Sequence, residues 1–389
     1  MKKTADRCFI AAFLLFLFAV PALILFHGAK GQTSYYENRT LASVPVPERE
    51  ALLSGDYFSQ WDTWLTDHVA GRDRLLKLDT WAEYRLYRRP VVNDIVTSAD
   101  VLLPFQTYGR WDLEYLKDMA GQSGDSLLAL DQLVESYGGT FCYLGIPLQN
   151  SYFSDHYPDY LENRKWHIQA MSEAFFGALE ERGIDYVDMS QVYGAMGRPQ
   201  DFYSASDHHF TYYGAFAAYQ ATMEHLGLPA LTQDQLTFTA LPHPFLGSRN
   251  RELYGLWTGE EHLIVGEQKV SVPFTRMDNG MEVPAALYDV PEDEGAQITY
   301  DVYMGGDKAE TILRTGRPGL PDLLIFGDSF TNPLETLFYT GFDETRSLDL
   351  RHYTQQGILA YIQDYQPDVV ICIRDDTAYL SLEGNGAIQ

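Results

Sequence analysis

Cysteine is scarce in this chain, which has only three among its 389 residues: Cys8, Cys142 and Cys372. Their spacing matches no metal-binding pattern, so no metal site is predicted from them. Cys142 and Cys372 each lie in a short apolar stretch typical of a β-strand, and we interpret both as buried thiols rather than as a disulfide. Motifs for haem, flavin or nucleotides are also missing, and the sequence therefore predicts a protein without a cofactor.

Basic residues are few as well. The chain has 28 Lys and Arg against 54 Asp and Glu, which gives a formal net charge of −26 at pH 7. Because nucleic-acid binding needs clustered cations against the phosphates, a nucleic-acid partner is excluded. Hydrophobic residues make up 46% of the chain, which is therefore long and apolar enough for one large domain or two moderate ones.

Long apolar runs are absent except at the N-terminus. Residues 8–26 carry no charge, and a helix of this length rises about 28 Å, close to the thickness of a hydrocarbon core. Basic residues before the run predict a cytoplasmic N-terminus. Ala-Lys-Gly at residues 29–31 resembles a cleavage site, although the run is longer than the usual core of a signal peptide. We predict that residues 1–31 form a single-pass anchor in the cell membrane, with the bulk of the chain extracytoplasmic; the alternative is secretion after cleavage.

The remaining chain divides into two predicted parts. Residues 32–110 start extended and continue in a helical, aromatic pattern, and we expect them to form an N-terminal segment that packs on the core. Residues 111–389 alternate strands and helices, which indicates an α/β domain with a parallel sheet. Within it, residues 230–310 carry short β-like runs between turn residues, for example at 298–304. This stretch predicts a β-rich insertion that could contribute to the site.

The first candidate for chemistry is a serine that follows a predicted buried strand. Residues 323–326 are apolar, Gly327-Asp328-Ser329 comes next, and a helix follows. A serine at this point lies at the carboxyl edge of a parallel sheet, where ligands bind in open α/β folds. Free N–H groups of the following helix can stabilise an oxyanion, and the hydroxyl can attack an ester carbonyl if a base accepts its proton. The alternative is that Ser329 only caps the helix.

A candidate base lies in the segment Asp207-His208-His209. In an extended chain Asp207 and His209 share a face, so the carboxylate can hold the imidazole in one tautomer and stabilise its charged form. His209 would then act as the base for Ser329, and His208 would point the other way. Three alternatives stay open: Asp207 caps the next helix, the histidines bind a metal, or all three are polar loop residues. No third ligand has a fitting spacing, so no metal site is predicted.

Several short motifs resemble those of one protein family. The segment from Ser206 to Thr211 resembles the motif that names the DHHW family, with Phe210 where the family has Trp. Further matches are Glu37-Asn38-Arg39 with Leu41, Tyr303-Met304-Gly305-Gly306-Asp307, Asp328-Ser329 with Asn332, and Asp349-Leu350-Arg351 with Tyr353. They spread over residues 34–375, and Gly-Asp-Ser also resembles the serine block of SGNH hydrolases. DHHW proteins look related to the alginate O-acetyltransferase-like SGNH proteins.

The resemblance implies an α/β fold with an SGNH-like, flavodoxin-like three-layer core and a parallel sheet. It also implies a triad of Asp207, His209 and Ser329 in that chain order, which reverses the order of ordinary SGNH hydrolases. The Ser329 backbone N–H is the first candidate for an oxyanion donor. Three residues are further candidates for oxyanion or substrate binding: Gly306, Asn332 and Arg351. For the last of these, a structural ion pair is the alternative.

The activity that the resemblance implies is O-acyl transfer, with acetyl as the group, through Ser329 to a cell-envelope or exported polysaccharide. An MBOAT-type membrane protein would deliver the acyl group. A carbohydrate acetyl-esterase would use the same triad with water as the acceptor. The third alternative is a non-catalytic protein that binds or assembles envelope polysaccharide and in which the triad residues are structural.

Overall fold

The structure, a computed structural model, describes residues 2–27, 33–37, 39–381 and 388. Within these ranges the chain packs as two compact units. The first comprises the residues up to Asn93 together with Asn250–Thr258, and the second comprises Asp94–Arg249 together with the chain from Gly259 onward. The predicted division at residue 110 stays a prediction, and the Ala-Lys-Gly sequence at residues 29–31 lies outside the described residues.

The α-helices of the described ranges are α1 (Lys2–His27), α2 (Arg49–Ser54), α3 (Asp56–Asp67), α4 (Arg72–Trp81), α5 (Leu113–Ser136), α6 (Gln149–Tyr152), α7 (Lys165–Arg182), α8 (Met189–Ala195), α9 (Tyr212–His225), α10 (Ser248–Glu252), α11 (Thr331–Phe338) and α12 (Ile358–Tyr365). A π-helical turn, Ala82–Leu86, continues α4.

The β-strands of the same ranges are β1 (Thr33–Ser34), β2 (Arg39–Thr40), β3 (Val91–Val92), β4 (Ile95–Val96), β5 (Leu103–Pro104), β6 (Thr140–Ile146), β7 (Tyr186–Asp188), β8 (Leu236–Ala240), β9 (Ile264–Gln268), β10 (Thr275–Asp278), β11 (Met281–Val283), β12 (Glu310–Arg314), β13 (Leu323–Gly327), β14 (Glu344–Asp349) and β15 (Val369–Asp375).

The second unit is built on an eight-stranded mixed sheet with the order β11-β10-β12-β14-β13-β15-β6-β7. The strands β14, β13, β15, β6 and β7 run parallel, which confirms the predicted parallel sheet. If β13 is numbered as the first strand, followed by β14, β15, β6 and β7, their order across the sheet is 2-1-3-4-5, the flavodoxin-like arrangement. Along the chain, however, the fourth of these strands, β6, comes first. The antiparallel strands β12, β10 and β11 extend the sheet at one edge.

Strand β13 is buried along its whole length because helices cover both faces of the sheet. Leu324 and Phe326 belong to a core cluster with side chains of α5, α7 and α12. Leu323 and Ile325 alternate with them and therefore face the opposite side, where α9 and α11 pack. Parallel strands covered on both faces have continuous apolar runs, which is the pattern that marks them in the sequence. The predicted three-layer α/β core is confirmed.

The predicted β-rich insertion contains two small β elements. β8 and β9 pair antiparallel, and β10 and β11 join the main sheet through β12. Residues 298–304, which have a β-like sequence, do not form a strand and instead contain the 3₁₀ turn Tyr300–Val302. Met304, Gly305 and Gly306 follow with φ angles of 55°, 69° and 78°. Since a strand needs negative φ, this left-handed stretch ends any extended structure here.

The first unit begins with the apolar helix α1. Its stretch Asp6–Ile24 is long and apolar enough to cross a membrane. A signal sequence at the N-terminus can also be this apolar, so the helix suits either an anchor or a leader. The chain therefore has, at its N-terminus, a helix suited to membrane insertion.

The Glu37-Asn38-Arg39 motif ties the extended N-terminal segment to α3 and α4, although Asn38 itself lies outside the described residues. Arg39 donates two hydrogen bonds to Asp67 at 2.8 and 2.5 Å, and Arg72 donates two to Glu37 at 2.7 and 2.9 Å. The hydrogen bonds from Arg39 hold the pKa of the Asp67 carboxyl well below its usual range, against the effect of burial. Because bidentate pairs fix orientation as well as distance, this motif has a structural role in the first unit.

Candidate active site

Ser329 lies two residues beyond β13, at the carboxyl edge of the sheet. A Cβ atom on Gly327 would lie far inside van der Waals contact of the Ile373 carbonyl oxygen, so the close approach of β13 and β15 requires glycine here. Asp328 is buried and accepts a hydrogen bond from the Phe330 N–H at 3.0 Å, which closes the turn into α11. Burial and a neighbouring carboxylate raise the pKa of Asp328. The turn thus presents a half-buried Ser329 directly before a helix N-terminus.

The Ser329 hydroxyl faces His209 and not the helix. Its Oγ lies 2.7 Å from His209 Nε2. The N-cap residue of α11 is Phe330, and no side chain caps this helix, so the helix-cap alternative for Ser329 is wrong. The backbone N–H of Ser329 has no acceptor among the described residues, which leaves it available to a ligand.

Asp207 and His209 lie in one loop before α9. Asp207 Oδ1 lies 2.6 Å from His209 Nδ1 and also accepts the His209 backbone N–H at 3.1 Å. Because a carboxylate only accepts, Nδ1 of the neutral ring carries the proton and Nε2 accepts from the Ser329 hydroxyl. The helix-cap alternative for Asp207 is wrong, since α9 begins at Tyr212 with Thr211 as its N-cap residue.

The Asp207 carboxylate is buried and yet favours its ionised state. Burial alone would raise its pKa, but the imidazoles of His209 and His208 and the hydrogen bonds from His209 and the Ser248 N–H hold the pKa well below its usual range. Asp207 can therefore stay charged while His209 gains a proton. A negative charge in this position stabilises an imidazolium.

Glu261, which sequence reasoning did not single out, holds the loop in place. Its carboxylate accepts hydrogen bonds from the Ser204 and Ser206 hydroxyls at 2.7 and 2.5 Å, and from the Ala205 and Ser206 N–H groups at 2.8 and 3.1 Å. Burial raises the pKa of Glu261 above its usual value, although these bonds oppose the shift. No local signal identifies this residue, because it lies 55 to 57 positions further along the chain than its partners.

Tyr300, also missed by sequence reasoning, stacks on the imidazole of His209. The two ring centroids are 3.7 Å apart and the ring planes differ by 6°. Phe330 contacts the same imidazole with a centroid distance of 4.8 Å. His209 is only 4% exposed as a result. The insertion, which contains Tyr300, therefore contributes directly to the surroundings of the imidazole.

Two of the three further sequence candidates, Asn332 and Arg351, meet at Asp307, and the third, Gly306, precedes it in the chain. Asn332 Nδ2 donates to Asp307 at 3.0 Å, and Arg351 Nη2 donates to it at 2.7 Å. Arg351 also pairs with Asp349 at 2.5 Å, so the structure supports the ion-pair alternative for this arginine. The Gly306 N–H donates at 3.0 Å to the carbonyl oxygen three residues earlier. This turn occupies the group that was expected to bind an oxyanion.

Two clusters of imidazoles and carboxylates among the described residues are close enough to share a cation: Asp207 with His208 and His209, and Asp307 with Asp349 and His352. In the first cluster the nitrogens of His209 already face a carboxylate and the serine hydroxyl. In the second, both carboxylates already pair with an arginine. Hydrogen bonds and ion pairs account for both clusters, and we assign an ion to neither.

A polar cavity of about 310 Å³ opens where β15, β6 and β7 end. Its lining combines hydroxyl, amide and charged groups with aromatic rings, among them those of Ser151, Gln169, Arg198, Asp376 and Tyr379. Burial raises the pKa of the Asp376 carboxyl to about 7. A lining of this kind suits a ligand with many hydroxyl groups better than an apolar one.

Part of the chain is similar to a known protein family. Residues 121–261 match the family described as "SGNH hydrolase-like domain, acetyltransferase AlgX". The matched segment contains the Asp207–His209 loop and Glu261. Over this segment the chain is similar to that family, and the predicted resemblance is confirmed. No protein of curated function matches the chain significantly in sequence.

Solved structures show the same fold. Bacillus cereus PatB1 is 22% identical, with a TM-score of 0.65 over 76% of this chain and 99% of its own. PatB1 with a sulfonyl adduct gives a TM-score of 0.64 at 20% identity over 76% and 98% of the two chains. A DHHW family protein from Eubacterium siraeum gives 0.57 at 16% identity over 76% and 95%. At these identities the likeness establishes the fold.

Proposed function

We propose that the chain is an extracytoplasmic enzyme that transfers an acyl group, acetyl in the first instance, to a hydroxyl group of a cell-envelope or exported polysaccharide. The observation that carries the proposal is the continuous line of hydrogen bonds from Asp207 through His209 to Ser329, with distances of 2.6 and 2.7 Å. A buried carboxylate, an imidazole and a serine hydroxyl in this order form the arrangement that activates a serine for attack on a carbonyl carbon.

In the first half-reaction, Ser329 Oγ attacks the carbonyl carbon of the acyl donor while His209 Nε2 accepts the hydroxyl proton. The resulting imidazolium is stabilised by Asp207. The negative oxygen of the tetrahedral intermediate is placed near the Ser329 N–H and the N-terminus of α11, which favour negative charge. The bond to the leaving group then breaks, the leaving group takes the proton from His209, and Ser329 remains acylated.

In the second half-reaction, a sugar hydroxyl of the acceptor loses its proton to His209 Nε2 and attacks the acyl carbon. The bond to Ser329 Oγ breaks, and the serine regains its proton from His209. The cavity at the ends of β15, β6 and β7 supports a polysaccharide acceptor, because it lies along the same sheet edge and has hydroxyl, amide and charged groups for sugar hydroxyls. Its lining includes Asp376, which directly follows β15, the strand next to β13.

We further propose that α1 remains as a single-pass membrane anchor and that an MBOAT-type membrane protein supplies the acyl group. The length and apolar composition of α1 support the anchor, and the resemblance to alginate O-acetyltransferase-like proteins supports the partner. Sequencing of the mature N-terminus in a membrane fraction tests the anchor. A mature chain that starts near residue 32 would contradict it.

The experiment that tests the triad measures p-nitrophenyl acetate cleavage and Ser329 acetylation by mass spectrometry. We expect Ser329→Ala and His209→Ala to lose both, and Ser136→Ala, at an exposed serine in α5, to keep both. Equal slow release from all four proteins without acetyl-serine would refute the triad. Labelling of Ser329 by a sulfonyl fluoride is a second readout, since PatB1 has been solved with a sulfonyl adduct.

Addition of an oligosaccharide acceptor then separates transfer from hydrolysis. An acetyl-esterase uses the same residues, and its acyl-enzyme reacts with water instead of a sugar hydroxyl. Acetylated oligosaccharide in excess over free acetate supports the transferase. Free acetate as the sole product, with every acceptor offered, would favour the esterase.

A further inference from the structure

Helix α4 and the π-helical turn that continues it expose large apolar side chains to solvent. Leu75, Leu78, Trp81 and Leu86 are 57%, 61%, 45% and 61% exposed. A single exposed leucine is ordinary, but several large apolar side chains on one short helix form the kind of patch that marks an interaction site. We refer to these four residues as the α4 face.

The α4 face lies in a basic segment of an otherwise acidic chain. Residues 72–89 contain six Lys and Arg against three Asp and Glu, whereas the whole chain has a net charge of −26. Arg74, Leu78 and Trp81 recur within α4 at the spacing i, i+4 and i+7, which places them along one side of this helix. The exposed guanidinium groups of Arg74 and Arg88 have no partner in the part of the chain that the structure describes.

A short stretch of chain connects α1 to the segment that is tied to α4. α1 ends at His27 and β1 begins at Thr33, and a linker of this length spans at most about 20 Å. β1 pairs with β2, and the Arg39–Asp67 and Glu37–Arg72 pairs tie this segment to α3 and α4. A membrane-embedded α1 would therefore keep α4 within reach of the membrane surface.

We propose that the α4 face binds the extracytoplasmic surface of the membrane that holds α1. The inference rests on the proposed anchoring by α1. The leucines and Trp81 enter the interfacial region, where apolar and aromatic side chains are favoured, and Arg74 and Arg88 contact anionic lipid headgroups. Because the rest of the chain is acidic and is repelled by the same headgroups, the charge difference turns this face toward the lipid.

The test uses the full chain with Cys8→Ser, in vesicles of phosphatidylcholine and phosphatidylglycerol. Cys142 and Cys372 are buried, so an environment-sensitive fluorophore can be attached at Leu78→Cys or, as a matched control, at Met281→Cys in β11, where the side chain is 68% exposed. We expect blue-shifted emission and quenching by spin-labelled lipid at position 78 only. Arg74→Glu with Arg88→Glu should reduce this quenching severalfold, and added salt should weaken it.

Three outcomes would overturn the proposal. They are water-like emission at both positions, equal quenching at both, and protection of position 78 only when another membrane protein is added, which would assign the face to a protein partner. Cleavage of p-nitrophenyl acetate by the same preparations reports independently on the fold and on Ser329. A failure of lipid binding is therefore distinguishable from a failure of the proposed function.

Discussion

Replacing Asp207 by asparagine keeps the shape of the side chain and removes its charge, so it isolates what the carboxylate does for His209. In the wild type, one oxygen faces His209 and the other accepts the Ser248 N–H at 2.6 Å. Asparagine has only one acceptor oxygen. If that oxygen keeps the Ser248 N–H, the amide NH₂ faces His209 Nδ1, which must then accept. The ring proton moves to Nε2 and faces the Ser329 hydroxyl, which can no longer give up its proton.

The expected loss follows from this change of tautomer and from the loss of a buried negative charge beside the imidazolium. In Ser-His-Asp triads the corresponding change lowers kcat by about 10⁴, which is about 5 kcal/mol in activation free energy. The burial of both Asp207 and His209 leaves little solvent to take over the role of the carboxylate. We therefore expect acetylation of Ser329 to slow by about four orders of magnitude.

The assay is the burst of p-nitrophenol in the first turnover, with thermal unfolding as the check on folding. Asp112→Asn is the matched control, since Asp112 accepts a backbone N–H at 2.7 Å as the N-cap of α5 and asparagine caps helices equally well. A folded Asp207→Asn variant that keeps more than a tenth of the wild-type burst rate would refute the assigned role of Asp207.

Three further predictions concern the surroundings of the site. Glu335 is buried in α11, and burial raises its pKa from 4.5 to about 7. Because the folded chain holds the proton more tightly than the unfolded chain, protonated Glu335 stabilises the fold fully below about pH 4.5. This stabilisation is lost as the pH rises to about 7. In Glu335→Gln, the free energy of unfolding should therefore fall less between low and neutral pH, by up to about 3 kcal/mol. A variant whose free energy of unfolding in urea falls as much as that of the wild type over this pH range would contradict the prediction. Gly327→Ala should lower the free energy of unfolding by about 1–3 kcal/mol, because its Cβ would meet a carbonyl of β15, and a wild-type urea midpoint would contradict this. Glu261→Gln supplies one acceptor oxygen in place of two and should slow Ser329 acetylation about tenfold to a hundredfold by loosening the loop; an unchanged burst rate would count against the positioning role.

The parallel sheet and the positions of the candidate residues could be predicted because each depends on a local pattern. Buried parallel strands have continuous apolar runs, and the turn after β13 places Ser329 at the sheet edge. The two-residue spacing of Asp207 and His209 puts both side chains on one face of an extended loop. The meeting of Ser329 with His209, which lie 120 positions apart, does not follow from these local patterns and was implied by the family resemblance.

Glu261 and Tyr300 could not be predicted, because their roles arise only when the insertion folds over the loop. A lone glutamate and a lone tyrosine have no periodic pattern that separates them from other polar or core residues. The β-like composition of residues 298–304 was misleading, since tyrosine and valine favour strands but here occupy a 3₁₀ turn that packs Tyr300 on His209. The Gly306 N–H likewise could not be judged in advance, because its acceptor depends on the conformation of that turn.

The chain order of Asp207, His209 and Ser329 follows from where the chain enters the sheet. Counted from β13, Ser329 follows the first strand, and Asp207 and His209 follow the fifth strand, β7. If β13 were the first strand of the parallel sheet along the chain, Ser329 would precede the pair. Here β6 is the first of these strands along the chain, so Asp207 and His209 come before Ser329. A triad depends on geometry and not on order, so a shifted chain start can leave the site intact. A chain whose first sheet strand was β13 would begin at β13 and end after α9. In this chain α9 and β13 must instead be connected, and the insertion makes that connection. The insertion starts after α9, the helix that follows His209, and ends before β13, the strand that precedes Ser329. Both of its ends are therefore close to the site, and two of its residues contact the site: Glu261 contacts the Asp207–His209 loop and Tyr300 contacts the imidazole.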